Sequence, residues 1–341
     1  MKTVLAKVDE QAIRSAGEII RQGGLVAFPT ETVYGLGANA FDEKAVLSIF
    51  AAKGRPADNP LIVHIADKSG FEGIVKEIPE KAQKLIDRFM PGPLTVILKK
   101  TDKVSLHVTA GLDTVAVRMP SNKDALALIR AAGVPIAAPS ANRSGLPSPT
   151  RAQHVFSDMD GRIEMILDGG ACTFGLESTV VDMSGDIPVL LRPGAVTLEQ
   201  LKETVGEVIL SGGVLSGLKE GEVARSPGLK HKHYAPKSAR VVLLKGSDKA
   251  IAEHINRFAA DNSHKVGAIV KNCVTSLDKN VKICYIGNED LQYAQSVFDA
   301  LRALDDLNVD IIFCQAVEEG GIGLAIMNRL LRSAGFALLD V

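Results

Sequence analysis

A succession of short apolar, β-branched runs constrains this chain more than any other feature. LVAFP (25–29), PLIVHI (60–65), LTVILKK (94–100), TVAVRMP (114–120), VPIAAPS (134–140), ESTVVDM (177–183) and PVLLRPG (188–194) have the length and residue types of buried strands. Helical periods lie among them. Residues 9–22 bring Ile13, Ala16, Ile19 and Ile20 to one face before Gly23-Gly24 stops the helix. Residues 42–53 turn Ala45, Ile49 and Ala52 inward behind Asp42, the predicted N-cap. Helices do not separate every strand pair, so the expectation is an α/β fold with a mixed sheet and covering helices.

The pattern breaks over 206–238, a stretch rich in Gly, Ser, Lys and Pro that reads as a linker or an ordered functional loop. It resumes with VVLL (241–244), VGAIV (266–270), VKICYIG (281–287) and DIIFCQA (310–316), with helices predicted near 248–261, 290–305 and 323–334. A length of 341 residues suits two domains. The expected division is therefore 1–205, a linker or lid over 206–238, and a smaller α/β domain over 239–341.

Hydrophobic residues make up 46% and charged residues 23%, the balance of a globular protein with a substantial core. MKTVLAKVDEQ lacks the apolar run of a secretory signal, and no stretch reaches the roughly twenty apolar residues of a spanning helix, so a cytoplasmic location is expected. A net charge of −1 argues against a surface that grips nucleic acid through its phosphates, and stable tRNA binding is not expected. Aromatics at 4%, with no Trp, argue against base stacking. Cys172, Cys273, Cys284 and Cys314 form no CxxC pair and read as small hydrophobes or free thiols.

Polar clusters follow several of the predicted strands, where α/β folds place ligands. Phe28-Pro29 opens into Thr30, Glu31 and Thr32, with Gly35 and Gly37 expected to let backbone approach a ligand closely. A tight turn with capping hydroxyls is the alternative. Lys53-Gly54-Arg55-Pro56, followed by Asn59 and His64, suits a polyphosphate, although basic residues also complement a helix C-terminus. Arg118 interrupts an apolar strand and requires an anion, either a substrate carboxylate or a structural Asp or Glu. Residues 138–150, with Ser140 and Ser148, can present hydroxyls and N–H groups to a phosphate, or cap a helix through Thr150. Ser178, Thr179 and Arg192 complete the series.

No Walker A sequence is present, and Gly321-Ile322-Gly323 lacks its third glycine and reads as a packing turn. His231 and His233 have no third ligand in the pattern, so no metal site is expected. Nor is there a Gly-x-Ser-x-Gly elbow. The residues themselves point to an anion-binding α/β enzyme without naming its reaction.

PTETVYGLG, KGRPADNPL, PGPLTVIL, VAVRMP, PSANRSGLPSPT, ESTVVD and LLRPGA, in this order, resemble the YrdC-like family of threonylcarbamoyl-AMP synthases. SPGLKHKHYAP and the second α/β stretch resemble its longer, two-domain branch. Leu229 and His231 depart from the Met and the aromatic or basic residue of that pattern, while Tyr234 is kept. The resemblance implies a twisted mixed sheet with helices, plus a C-terminal Rossmann-like domain. It also implies condensation of L-threonine, bicarbonate and ATP to L-threonylcarbamoyl-AMP, with Mg²⁺ on the nucleotide. A tRNA threonylcarbamoyl transferase, met transiently, would use the product. By resemblance, Thr32, His64, Arg118, Ala138 and Ser178 line a threonine pocket. Arg55, Asn59, Thr114, Ser140, Ser148, Arg192 and Tyr234 contact ATP, and Lys53 and Arg55 form the catalytic basic pair. Competing readings are a non-catalytic RNA-binding module and a transferase using another carbamoyl donor.

Overall fold

The structure is a computed structural model that describes residues 2–216, 233–261 and 263–341. It divides into two compact units, Met1–Ser144 with Ser148–Lys230, and Gly145–Pro147 with His231–Val341. The short Gly145-Leu146-Pro147 segment thus belongs to the second unit although the chain on both sides of it belongs to the first.

The first unit contributes strands β1 (Val4–Lys7), β2 (Val26–Phe28), β3 (Gly35–Asn39), β4 (Ile62–His64), β5 (Leu94–Lys99), β6 (Thr114–Arg118), β7 (Ile136–Ala138), β8 (Met165–Asp168), β9 (Thr179–Asp182), β10 (Val189–Arg192) and β11 (Ile209–Leu210). They form a mixed sheet in the order β1-β8-β2-β3-β7-β4-β6-β5-β9-β10-β11. Parallel pairs such as β4–β6 and β5–β9 alternate with antiparallel ones such as β5–β6 and β9–β10.

Side chains alternate across a strand, so the two faces of the sheet meet different neighbours. Ala27 and Ala137 join a large core with Ala45, Ile49, Leu85, Val155 and Leu201 of the covering helices. Val26, Phe28, Ile136 and Ala138 join the opposite core with Ala12, Ala16 and Ile20 of helix Glu10–Arg21, and Leu128 and Ile129 of helix Lys123–Ala132. Further along that second face, Ile62, Ile97, Ala116, Val180 and Leu191 form a separate cluster to which no described helix contributes.

Asp42 caps its helix as expected, accepting from Lys44 N and Ala45 N, and Asp9 likewise caps helix Glu10–Arg21, accepting from Ala12 N. Other expectations are corrected. Residues 35–39, expected as an open glycine loop, form β3, antiparallel to β2 and β7. Its glycines answer to packing: a Cβ on Gly37 would lie 2.7 Å from Ile136 Cγ2 and 2.9 Å from Phe28 Cε1. The alternative role of Thr150 as a cap also falls, because Arg151 holds the N-cap position of helix Ala152–Met159 and no side chain caps it. Within the expected linker, β11 pairs parallel with β10 and Gly213–Ser216 forms a short helix. Residues 217–232, including Leu229 and His231, lie outside the described residues.

The second unit contributes β12 (Arg240–Lys245), β13 (Val266–Val270), β14 (Lys282–Tyr285), β15 (Ile311–Gln315) and β16 (Leu338–Asp340). Its sheet runs β14-β13-β15-β12-β16 with every pair parallel, the Rossmann-like arrangement expected. Helices Asp248–Ala259, Asp290–Asp306 and Gly323–Ser333 supply the β12–β13, β14–β15 and β15–β16 crossovers, while β13 reaches its parallel neighbour β14 through residues 271–281 without a helix. Gly323 is a packing glycine, since a Cβ there would meet the Glu318 carbonyl oxygen. No helix among the described residues is long and apolar enough to cross a membrane.

Candidate active site

Period-two alternation places the polar candidates on the helix-free part of the sheet. His64 shares a face with Ile62, Thr95 with Ile97, Thr114 and Arg118 with Ala116, and Ser178 precedes β9 in phase with Val180. Ala138 joins them opposite Ile62, and His64 stands opposite Arg118 in the β4–β6 register. Hydroxyls, an imidazole and a guanidinium therefore rise from an apolar floor.

Arg118 is buried and turned toward the 30–33 turn. Nη1 donates to Thr32 Oγ1 at 2.8 Å, and Nε donates to Gly92 O at 3.4 Å. Nη2 lies 2.7 Å from Glu31 Oε1, and both side chains are nearly inaccessible. Of the two anions left open for this arginine, the structure supplies the carboxylate Glu31. Burial acts to raise the Glu31 pKa, but the Arg118 charge and contact outweigh it and hold the carboxyl below its ordinary range. Thr32 Oγ1 also lies 2.8 Å from Thr30 Oγ1, and Thr30 Oγ1 donates to Val33 O at 2.6 Å.

His64 is held neutral. Burial, followed by the Arg118 charge, brings its pKa down to about 3. Nδ1 lies 3.1 Å from Ile62 O; a carbonyl only accepts, so Nδ1 carries the proton and Nε2 keeps its lone pair.

A second buried network centres on Ser178. Arg192 Nε donates to Ser178 O at 3.0 Å and Nη2 to Ser178 Oγ at 3.1 Å, while Thr95 Oγ1 lies 2.8 Å from the same hydroxyl. The adjacent Glu177 carboxylate accepts from Ser148 Oγ, which ties the 139–150 loop to this network. Backbone bonds lace that loop to the first cluster: Tyr34 N to Pro149 O and Ala141 N to Tyr34 O, each 2.8 Å. Lys53 Nζ reaches the same loop, donating to Ser140 O at 2.5 Å and Asn142 O at 2.6 Å.

Arg55 Nη2 donates to Asn59 O at 2.8 Å, with the guanidinium over the Phe50 ring. Asn59 is fully buried, and neither of its amide atoms has a hydrogen-bond partner among the described residues. Thr114 opens β6 opposite Lys99. Tyr234 lies in the second unit. There it stacks on Phe298 at 5.1 Å with Arg329 over its ring, and its carbonyl accepts from Ser333 Oγ. No metal-binding group of three or more His, Cys, Asp or Glu occurs among the described residues, and His231 lies outside them.

Three participants were not singled out from the sequence. Glu31 was visible as the carboxylate of its turn, but its pairing with a residue 87 positions away was not. Thr95 passed as one more β-branched residue in LTVIL, and Glu177 as the start of a strand.

A helix-covered mixed sheet with buried arginines and hydroxyls on one bare stretch, followed by an all-parallel α/β unit, defines the class: the chain belongs to the threonylcarbamoyl-AMP synthase family. Residues 18–194 match the family model described as "Telomere recombination", and residues 196–335 match "Threonylcarbamoyl-AMP synthase, C-terminal domain". The threonylcarbamoyl-AMP synthase of Pyrococcus abyssi is 48% identical over 341 residues, covering 99% of this chain and 98% of that protein. The protein of the same name from Bacillus subtilis is 48% identical over 96% of this chain and 94% of its own length. A crystal structure of P. abyssi Sua5 complexed with L-threonine superposes with a TM-score of 0.92 at 48% identity, covering 100% of this chain and 99% of that one. Membership makes this chain an enzyme of the nucleotidyltransferase type that uses ATP as a substrate.

Proposed function

We propose that this enzyme condenses L-threonine, bicarbonate and ATP into L-threonylcarbamoyl-AMP and pyrophosphate, the first step of tRNA threonylcarbamoyladenosine modification. One observation carries the reading. Two buried guanidiniums, Arg118 and Arg192, are each hydrogen-bonded to a hydroxyl, Thr32 and Ser178, that the family resemblance assigns to a threonine pocket. Arg118 already pairs with Glu31, and both guanidiniums are charge-assisted donors of the kind from which a carboxylate and a triphosphate accept.

In this reading Thr32, His64, Arg118, Ala138 and Ser178 surround threonine. Arg55, Asn59, Thr114, Ser140, Ser148 and Arg192 receive ATP, and Mg²⁺ arriving with the nucleotide would supply further charge neutralisation. Lys53, donating to two carbonyls of the 139–150 loop, holds that loop in place. Tyr234 as a nucleotide contact rests on the resemblance alone. Threonine's ammonium and bicarbonate give a carbamate, water and a proton. A carbamate oxygen then attacks the α-phosphorus, the bond to the β-phosphate oxygen breaks, and pyrophosphate leaves. No side chain becomes covalently attached, so positioning and charge stabilisation carry the catalysis. The product is a water-labile mixed anhydride, which a tRNA threonylcarbamoyl transferase consumes.

Pyrophosphate release measured with threonine, bicarbonate or ATP omitted in turn tests the reading. All three omissions should abolish release. Release that persists without threonine sinks the assignment, and salt-sensitive tRNA binding in its place favours an RNA-binding module.

A further inference from the structure

Glu31 is the buried ionisable group that the proposed reaction leaves without a task. Its position is fixed: the Glu31 carbonyl accepts from Phe174 N at 2.8 Å and from Thr173 Oγ1 at 3.2 Å. Its carboxylate is 94% buried and lies against Arg118. Although Oε1 is 2.7 Å from Nη2, the N–H bonds are not directed along that line. Neither carboxylate oxygen accepts a hydrogen bond of good geometry among the described residues, although Arg118 and the backbone N–H groups of Glu31 and Ser121 lie near enough to favour its ionised form. A buried carboxylate normally completes such bonds, so two empty acceptors beside a charge contact point to a donor that arrives with a ligand.

Charge balance identifies the donor. Arg118 is already neutralised by Glu31. A ligand carboxylate brought to the same guanidinium would place two anions around one cation in a site shielded from water, which is unfavourable. A ligand carrying its own positive charge restores the balance. An α-amino acid zwitterion does so with its ammonium group, whose N–H bonds match the two open oxygens. A carboxylate with no amine does not.

We infer that Glu31 binds the ammonium group of the amino-acid substrate and thereby selects a zwitterion over an amine-free carboxylic acid. This rests on the reading of the site as a threonine pocket and adds to it a residue and a rule of selection. The alternative is that Glu31 serves only as the internal counter-ion of Arg118. The two differ in a measurable way: a counter-ion alone affects every carboxylate ligand alike.

Calorimetric titration of the full chain separates them, using L-threonine and 2,3-dihydroxybutanoate, in which a hydroxyl replaces the amine. The wild type should bind threonine at least about tenfold more tightly than the hydroxy acid, the discrimination expected of a charge-assisted hydrogen bond. Glu31→Gln should weaken threonine by about ten- to a hundredfold and leave the hydroxy acid unchanged or improved, so that the ratio collapses. Equal losses for both ligands overturn the inference in favour of the counter-ion role. If Glu31→Gln fails to fold, the wild-type ratio still decides, because equal affinity for the two ligands overturns it. Threonine binding without discrimination removes only the role of Glu31. No threonine binding, together with no threonine-dependent pyrophosphate release, removes the reading of the site as well.

Discussion

Arg192 Nη2 and Ser178 Oγ are joined by a 3.1 Å hydrogen bond inside the first unit, so a residue assigned to the nucleotide and one assigned to the amino acid share a contact. Ser178→Ala removes the acceptor and also leaves Thr95 without its 2.8 Å partner. Losing one bond to a charged group costs about 1.5–3 kcal/mol, or roughly ten- to a hundredfold. The expected outcome is a raised KM for both threonine and ATP, with the Ser178→Ala, Arg192→Lys double variant far from additive. Initial-rate kinetics with each substrate varied in turn is the check. An effect confined to threonine would show that the bond does not couple the two halves.

Asn59 supports a prediction of opposite signs. Its amide is buried with neither polar atom hydrogen-bonded among the described residues. Such a group costs roughly 1–3 kcal/mol in the free protein and is recovered only when a ligand fills it. Asn59→Leu, close in shape, should therefore keep or raise the melting temperature while increasing the KM for ATP about tenfold or more. Thermal denaturation without ligand and ATP kinetics test the two halves. A large fall in melting temperature would mean that the amide is satisfied in the free protein.

The strands were legible because buried strands leave a local record in β-branched runs. Arg118 was legible because a guanidinium inside such a run needs an explanation. What escaped were features decided by tertiary contacts. Gly35–Asn39 looks like a loop in the sequence, and it is a strand because Phe28 and Ile136 occupy the space its side chains would take. Thr95 differs from Val only in a hydroxyl, whose value appears once Ser178 is beside it. The sequence alone leaves the partner of Arg118 open between ligand and protein, and only the fold sets Glu31 against it. The surroundings of Tyr234 were equally hidden, since Phe298 and Arg329 come from helices far along the chain.

Two glycines should differ in how badly they tolerate a methyl group. A Cβ on Gly37 meets side chains, which can yield, so Gly37→Ala should cost about 1–3 kcal/mol with activity largely kept. A Cβ on Gly194 meets backbone: the Thr179 amide nitrogen, and Glu177 O at 2.8 Å. These atoms cannot shift without moving Ser178, so Gly194→Ala should lose most activity as well as stability. Urea denaturation and turnover on the same preparations distinguish the cases. Equal damage from both would contradict the difference between side-chain and backbone neighbours.

His64 ties the site to the pH dependence of stability. Its pKa falls from an ordinary 6.5 to about 3 because it is buried and faces the Arg118 charge. Between those values the unfolded chain binds a proton at this position and the native protein does not. Stability therefore declines as pH drops below 6.5, by up to about 1.4 kcal/mol per pH unit from this group. Glu31, held below its ordinary 4.5 with burial opposed and outweighed by Arg118, also loses stabilisation in acid, but only as pH falls below that lower value. The interval from pH 6.5 to 5 thus isolates the histidine from the carboxylate. Ligand-free urea midpoints at pH 7, 6 and 5 should fall less steeply for His64→Gln than for the wild type, with a difference near 2 kcal/mol accumulated by pH 5. Parallel slopes would mean that His64 takes up a proton in the native state, and a charged imidazole beside Arg118 would then require a different arrangement of the site.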